Sequence, residues 1–159
     1  MENINVLKGI AVFQNKLSGY VSFIQDKDST QVRVNGLIKG LKKGKHGIHI
    51  HRYGNLLSVN CKGCGGHFNP RGKAHGGRYD KNSHAGDLGN ITANKDGIAK
   101  FRFVLNDKIT MKGVHSIFGR SIVIHEGVDD LGKGGHSDSL TTGHSGGRAD
   151  CAVIGVMSD

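Results

Sequence analysis

Tryptophan is absent from this chain of 159 residues, and aromatic residues of all kinds make up 6% of it. That scarcity argues against a nucleic-acid surface, which depends on aromatic rings interleaved with basic residues. No run of 18 apolar residues occurs, so no membrane span is indicated. The first residues, MENINVLKGIAVF, carry an early acid and no sustained hydrophobic stretch, which does not resemble a secretory signal and makes the cytoplasm the expected compartment. Proline occurs once against 26 glycines. Those glycines have no three-residue period, so a collagen-like reading fails. They punctuate the chain instead, as tight turns between strands require.

Acidic residues are also scarce. Thirteen Asp and Glu face 22 Lys and Arg, for a formal charge of +9. Such a balance suits a small anionic substrate, nucleic acid or an anionic membrane. The densest basic patch, KGLKKGK at 39–45, has no aromatic partner and reads as a turn between strands. Neither a nucleic-acid partner nor a membrane partner is therefore expected.

β-Branched or alternating segments recur along the chain. INVLKG (4–9), GYVSFIQ (19–25) and TQVRVNGLI (30–38) read as three antiparallel strands, and GIHIH (47–51) as a fourth. LGNITA (88–93), KFRFVL (100–105), SIVIHE (121–126) and CAVIGV (151–156) add four more. NKDG at 94–97 carries the signal of a hairpin turn. No window has a helical period, and neither an internal repeat nor a second domain is visible, so one all-β domain over 1–159 is expected. Residues 52–86 and 126–147 read as two long loops rich in Gly, His, Ser and Asp, a length that is usually functional or disordered.

GIHIH sets the chemical question. On an extended chain His49 and His51 face one side, and Ile48 and Ile50 the other. Two imidazoles on one face of an apolar strand cost desolvation energy unless each finds a partner. After them come His67, His75, His84 and Asp87, then His125 on a late strand. Imidazoles with one carboxylate form the donor set that suits zinc and copper. The intervals of eight, nine and three residues from His67 to Asp87 fit a loop folded around an ion, not one face of a helix. Any one of these histidines alone would read as a surface or hydrogen-bonded core residue; seven candidate donors concentrated in one loop and two strands do not. Of the three cysteines, Cys61 and Cys64 form a C-x-x-C pair that, by itself, reads as a redox pair or half a zinc site, although no second pair and no βαβ setting accompany it.

The segments HIHRYG, GGHFNP, HGG, HAGDLGN, VIHEGVDDLGKGG and TGHSGGRADCAVIGV, in this order, resemble the signature segments of eukaryotic-type, cytosolic copper/zinc superoxide dismutase. The resemblance runs from about residue 7 to the C-terminus. It implies an eight-stranded antiparallel Greek-key β-barrel or sandwich with two long functional loops. It further implies copper held by His49, His51, His67 and His125, and zinc held by His67, His75, His84 and Asp87, with His67 bridging the two ions. Asp129 corresponds to a carboxylate linking His49 to His75, Arg148 to the cation that receives superoxide, and Cys61 and Cys151 to an intrachain disulfide that leaves Cys64 over.

INV at 4–6, IFG at 117–119 and VIG at 153–155 resemble segments that form the apolar homodimer interface of cytosolic relatives, which implies a homodimer; the competing reading makes Ile4, Phe118 and Ile154 ordinary core. A copper chaperone is a candidate partner, although no proline stands near Cys151, which favours independence from one. Gly66 stands where the family usually has proline, Gly127 and Thr141 where many relatives have lysine, and His136 and His144 are additions without an assigned role. The expected activity is dismutation of superoxide to oxygen and hydrogen peroxide. The competing expectation is an inactive homologue that binds metal or a chaperone.

Overall fold

The computed structural model describes residues 5–158, and within them eight strands account for almost all regular structure. They are β1 (Val6–Gln14), β2 (Ser18–Asp26), β3 (Gln31–Lys39), β4 (Gly44–His51), β5 (Asp87–Ala93), β6 (Ile98–Asn106), β7 (Ser121–His125) and β8 (Arg148–Val156). All pairings are antiparallel, in the spatial order β5-β4-β7-β8-β1-β2-β3-β6, and the sheet curls into a nearly closed barrel. The all-β, eight-stranded Greek-key architecture expected from the sequence is the one observed.

Strand β1 runs five residues further than the segment ending at Gly9, because IAVFQ keeps the alternation: Ala11 and Phe13 are buried while Val12 and Gln14 are exposed. Ile4 lies outside the described residues. Strand β8 begins at Arg148, three residues before the expected start.

The NKDG segment departs from expectation in a more informative way. Its turn is tight, with Asn94 N–H donating to Ile98 O at 2.9 Å and Gly97 N–H to Asn94 O at 3.0 Å. Yet β5 and β6, which it joins, lie at opposite ends of the strand order and share no ladder. The turn spans the seam of the barrel, so local turn chemistry is present without a hairpin. Arg78 bridges the same seam: its Nε donates to Leu88 O at 2.7 Å and an Nη to Asn90 O at 3.2 Å on β5. Its guanidinium also lies 3.7 Å from the ring centroid of Phe103 on β6.

Alternation divides β4 and β7 in the same manner. Ile48, Ile50, Ile122 and Ile124 are fully buried in the barrel interior, each contributing roughly 1.5–3 kcal/mol by leaving water. The opposite faces carry His49, His51 and His125, which are also buried, because the two long loops cover them. Those loops contain little regular structure: a 3₁₀ turn at Val59–Cys64 and a single helical turn, α1, at Ser139–Thr142. A disulfide joins Cys61 of the first loop to Cys151 of β8, and Cys64 is a free, buried thiol. No described helix is long and apolar enough to cross a membrane.

Of the apolar segments expected at a dimer interface, Ile117 and Ile154 are fully buried core. Phe118 is partly buried and, with Val6, Leu7, Val156 and Met157, lines a shallow apolar cavity of about 360 Å³.

Candidate metal centre

Two irregularities in the sheet prepare the site. The β4–β5 register shifts between Gly47 and His49, and the β7–β8 register shifts between Ile124 and His125. Bulges of this kind re-aim side chains. Here they turn His49 and His125 towards a common point above the barrel wall. His67, on the first loop, bridges to His51 of β4 and completes the group.

The ligating atoms of His49, His51, His67 and His125 lie within 4.8 Å of one another. Four buried nitrogens of this set, His49 Nδ1, His51 Nε2, His67 Nε2 and His125 Nε2, have no hydrogen-bond partner. Buried polar atoms are normally paired, so such a group needs an explanation. The second nitrogen of each strand histidine supplies it. His49 Nε2 is 2.7 Å from Asp129 Oδ2, His51 Nδ1 is 2.8 Å from Gly65 O and His125 Nδ1 is 3.3 Å from Gly146 O. An acceptor at one nitrogen holds the proton there and leaves a lone pair on the other. The unpaired nitrogens are therefore lone-pair donors, and a cation of the copper or zinc type fits them.

A second group uses the other side of His67. Asp87 Oδ1 lies 3.0 Å from His67 Nδ1, 2.9 Å from His75 Nδ1 and 3.3 Å from His84 Nδ1. Four donors at the corners of a tetrahedron around zinc, at its usual bond lengths, stand about 3.3 Å apart; the three distances from Asp87 suit it, while His84 falls outside the set whose ligating atoms all lie within 4.8 Å of one another. The second oxygen of Asp87 is occupied by the N–H groups of Gly76 at 3.0 Å and His84 at 2.8 Å, which fixes the carboxylate. His49 is near this group as well, but its Nε2 faces Asp129 and its Nδ1 belongs to the first set.

Asp129 joins the two groups. Its Oδ1 lies 2.7 Å from His75 Nε2 while its Oδ2 faces His49. The local chain is shaped for this contact at Gly143, where φ is +71° and a Cβ would stand 2.1 Å from Asp129 Oδ1 and 2.4 Å from His75 Nε2. Asn90 clamps the backbone of Asp129 from both sides, donating to its carbonyl at 2.9 Å and accepting from its N–H at 2.8 Å.

The electrostatics separate the two groups. Burial, reinforced by the other histidines, pushes the pKa values of His49 and His51 well down and that of His125 to about 4. Burial also lowers His67 despite Asp87. His75 is the exception: burial opposes its charge, but hydrogen bonds to Asp129 and Asp87 prevail and raise it to about 9. Asp87, bonded to three imidazoles, lies far below the usual carboxylate range even though burial opposes this.

Arg148 stands opposite His125 across the β7–β8 ladder. Its guanidinium donates to Cys61 O and to Gly65 O, both at 2.7 Å, so the disulfide-bearing turn fixes its position. The structure thus gathers all the candidate residues into one region.

Sequence reasoning missed three supporting residues. His46 places Nδ1 2.9 Å from His125 O and Nε2 2.8 Å from Lys42 O. Asn90 and Gly143 act on Asp129 as described. Their contacts span 39 and 79 residues of chain in the case of Asn90 and His46, and no local pattern announces such pairings. The additions His136 and His144 stack on one another, with ring centroids 3.7 Å apart, on the exposed side of the second loop.

The crystal structure of the clock protein EA4 is similar to this chain, with 42% sequence identity, 96% of each chain covered and a TM-score of 0.88. Residues 17–154 match the family described as copper/zinc superoxide dismutase (SODC). With a match over that span, the chain belongs to the copper/zinc superoxide dismutase family.

Proposed function

We propose that this protein is an active superoxide dismutase of the eukaryotic cytosolic type, a single domain that converts superoxide to oxygen and hydrogen peroxide. The observation that carries the reading is the convergence of four unpaired imidazole nitrogens beside Asp87, which contacts His67, His75 and His84. His49, His51, His67 and His125 would hold copper; His67, His75, His84 and Asp87 would hold zinc. When bound, copper supplies one-electron exchange with superoxide, which no side chain here can perform, and redox-silent zinc supplies fixed charge.

The chain's own groups supply the rest. His67, with one nitrogen towards each donor set, is the group placed to hold or release a proton at Nε2. Arg148 offers a fixed cation beside His51 and His125, where a small anion can be received. Asp129 keeps His49 and His75 in the tautomer that leaves Nδ1 free. Burial keeps His49, His51, His67 and His125 neutral, so the copper-type donor set is ready for a cation.

The apolar surface around Val6, Leu7, Phe118 and Val156 supports a homodimer; Val156 is 81% exposed. Sedimentation of the metallated, oxidised protein tests it, and a monomer at micromolar concentration rejects it. We place the protein in the cytoplasm and infer no need for a dedicated copper chaperone; loading with copper salts alone in a chaperone-free expression host tests that inference.

The activity is tested by metal analysis together with a superoxide-consumption assay on reconstituted protein. His125→Ala should abolish dismutation and leave zinc bound, whereas Asp87→Ala should chiefly release zinc. Near-normal activity in a copper-containing His125→Ala protein would overturn the assignment. Full metal occupancy without activity in the parent would favour the alternative, an inactive metal- or chaperone-binding homologue.

A further inference from the structure

A cavity of about 330 Å³ lies away from the copper-type donor set, between the 71–83 segment of the first loop and the residues that follow β6. Five cationic side chains line it: Arg71, Lys73, Arg78, Lys81 and Lys108. Two carboxylates, Asp80 and Asp107, are also present. Among the described residues none of the five cations forms an ion pair. Asp80 is engaged instead with the N–H of Gly77 at 2.7 Å. Arg71 donates only to a carbonyl, Asp107 O, at 2.7 Å.

Lys108 is half-buried, and burial depresses its pKa to about 8 against the attraction of Asp87 and Asp80, with Arg71 and Arg78 adding smaller effects in the same direction as burial. It is nonetheless held in place, its Nζ donating to Ser83 Oγ at 2.6 Å. A second cavity, of about 240 Å³, adjoins the first through Arg71 and Lys108 and adds Lys112 and His115. The basic surface is thus a groove rather than a point. A lone phosphate would engage only part of it. A chain of linked phosphates, carrying roughly one to two negative charges per group, matches its excess of cations over both cavities.

We propose that this groove binds a short polyphosphate, inorganic or esterified, at a site whose lining includes none of the metal-donor residues. Occupancy would tie the 71–83 segment, which carries His75 and leads into His84, to the Lys108 side of the barrel. The inference does not rest on the dismutase reading.

The test is calorimetric titration of the metal-loaded protein with sodium tripolyphosphate at physiological salt. Metal content is measured afterwards, so that extraction of metal is not read as binding. One site per chain is expected, with binding weakened roughly ten-fold or more by Arg71→Glu with Lys81→Glu, and strengthened as salt is lowered. Orthophosphate should bind much more weakly. Arg148→Gln and a remote charge reversal, Lys16→Glu, should leave the affinity unchanged. An ATP arm separates the sources: equal affinity assigns recognition to the phosphate chain alone, and tighter ATP assigns the esterified form. Absence of binding overturns the proposal. So do binding that survives the double charge reversal, binding that disappears with Arg148→Gln, and heat accounted for by released metal.

Discussion

Asp129 and His75 meet at 2.7 Å, and the only side chain that fits against their contact is no side chain at all, Gly143. Asp129 faces His49 with its other oxygen, also at 2.7 Å, so one carboxylate orients an imidazole in each donor group. Asp129→Asn should lower zinc affinity about 10–100-fold, the usual cost of losing such an outer partner. Gly143→Ala should act in the same direction, because its Cβ would displace the carboxylate and its φ of +71° strains any L residue. Competition with a chromophoric chelator measures both. Parent-like zinc affinity in Gly143→Ala would show that the contact tolerates displacement.

Arg148 should dominate electrostatic capture of the substrate anion. We expect activity to fall with rising ionic strength, since charges in solution are screened over about 8 Å at physiological salt. Arg148→Glu should reduce the rate far more than any single surface Lys→Glu change. Arg148→Lys should also reduce it, because an ammonium cannot reproduce the two-pronged attachment to Cys61 O and Gly65 O. Adding a cation at Thr141, which is exposed, should raise the low-salt rate modestly. Gly127 is a poorer place for lysine, because a Cβ there would stand 2.9 Å from Ser145 O. A rate independent of salt, with Arg148→Glu unchanged, would reject guidance by charge.

Breaking the Cys61–Cys151 disulfide should have two separable effects. The bond closes a separation of 90 residues, and releasing it should cost about 4–5 kcal/mol through the unfolded state. Because Cys61 O also holds Arg148, Cys151→Ser should lower activity even at temperatures where the protein stays folded. Denaturation curves and activity measured on the same sample distinguish the two; stability loss with full activity would mean the turn holds Arg148 without the bond.

Lys108 supplies a pH dependence with a definite sign. Its folded pKa of about 8 lies below the ordinary 10.5, so between these values the unfolded chain binds more protons than the folded one. Stability from this group therefore rises with pH across that window and is constant below it. Relative to Lys108→Gln, the parent should gain stability between about pH 8 and 10. Paired urea titrations of metal-loaded proteins read the difference, and a flat difference would contradict it.

The histidine face of β4 is legible in the sequence because a strand repeats every two residues, so the order of residues in GIHIH alone sorts its side chains. The extent of β1 is not, since IAVF is apolar throughout and the alternation appears only in burial, with Ala11 and Phe13 inside and Val12 outside. NKDG announces a turn correctly but not its partners: the same turn chemistry serves a hairpin and a seam crossing. His46, Asn90 and Gly143 are silent for a different reason. Each acts through contacts across the barrel or between loops, and a single chain read in order carries no mark of what will stand beside it.

Arg78 has a consequence for how copies of this protein meet. Strand β5 ends the ladder, and its outward carbonyls at Leu88 and Asn90 would otherwise stand as acceptors for any extended chain. An exposed row of this kind is a template for edge-to-edge growth and, in the limit, for cross-β fibrils. One guanidinium occupies both acceptors while resting on Phe103, so that the edge is satisfied from within the molecule. The side chain that spans the seam is thereby also a guard against self-templating. A lysine there, with a single point of charge in place of a planar fork, would leave part of the row open.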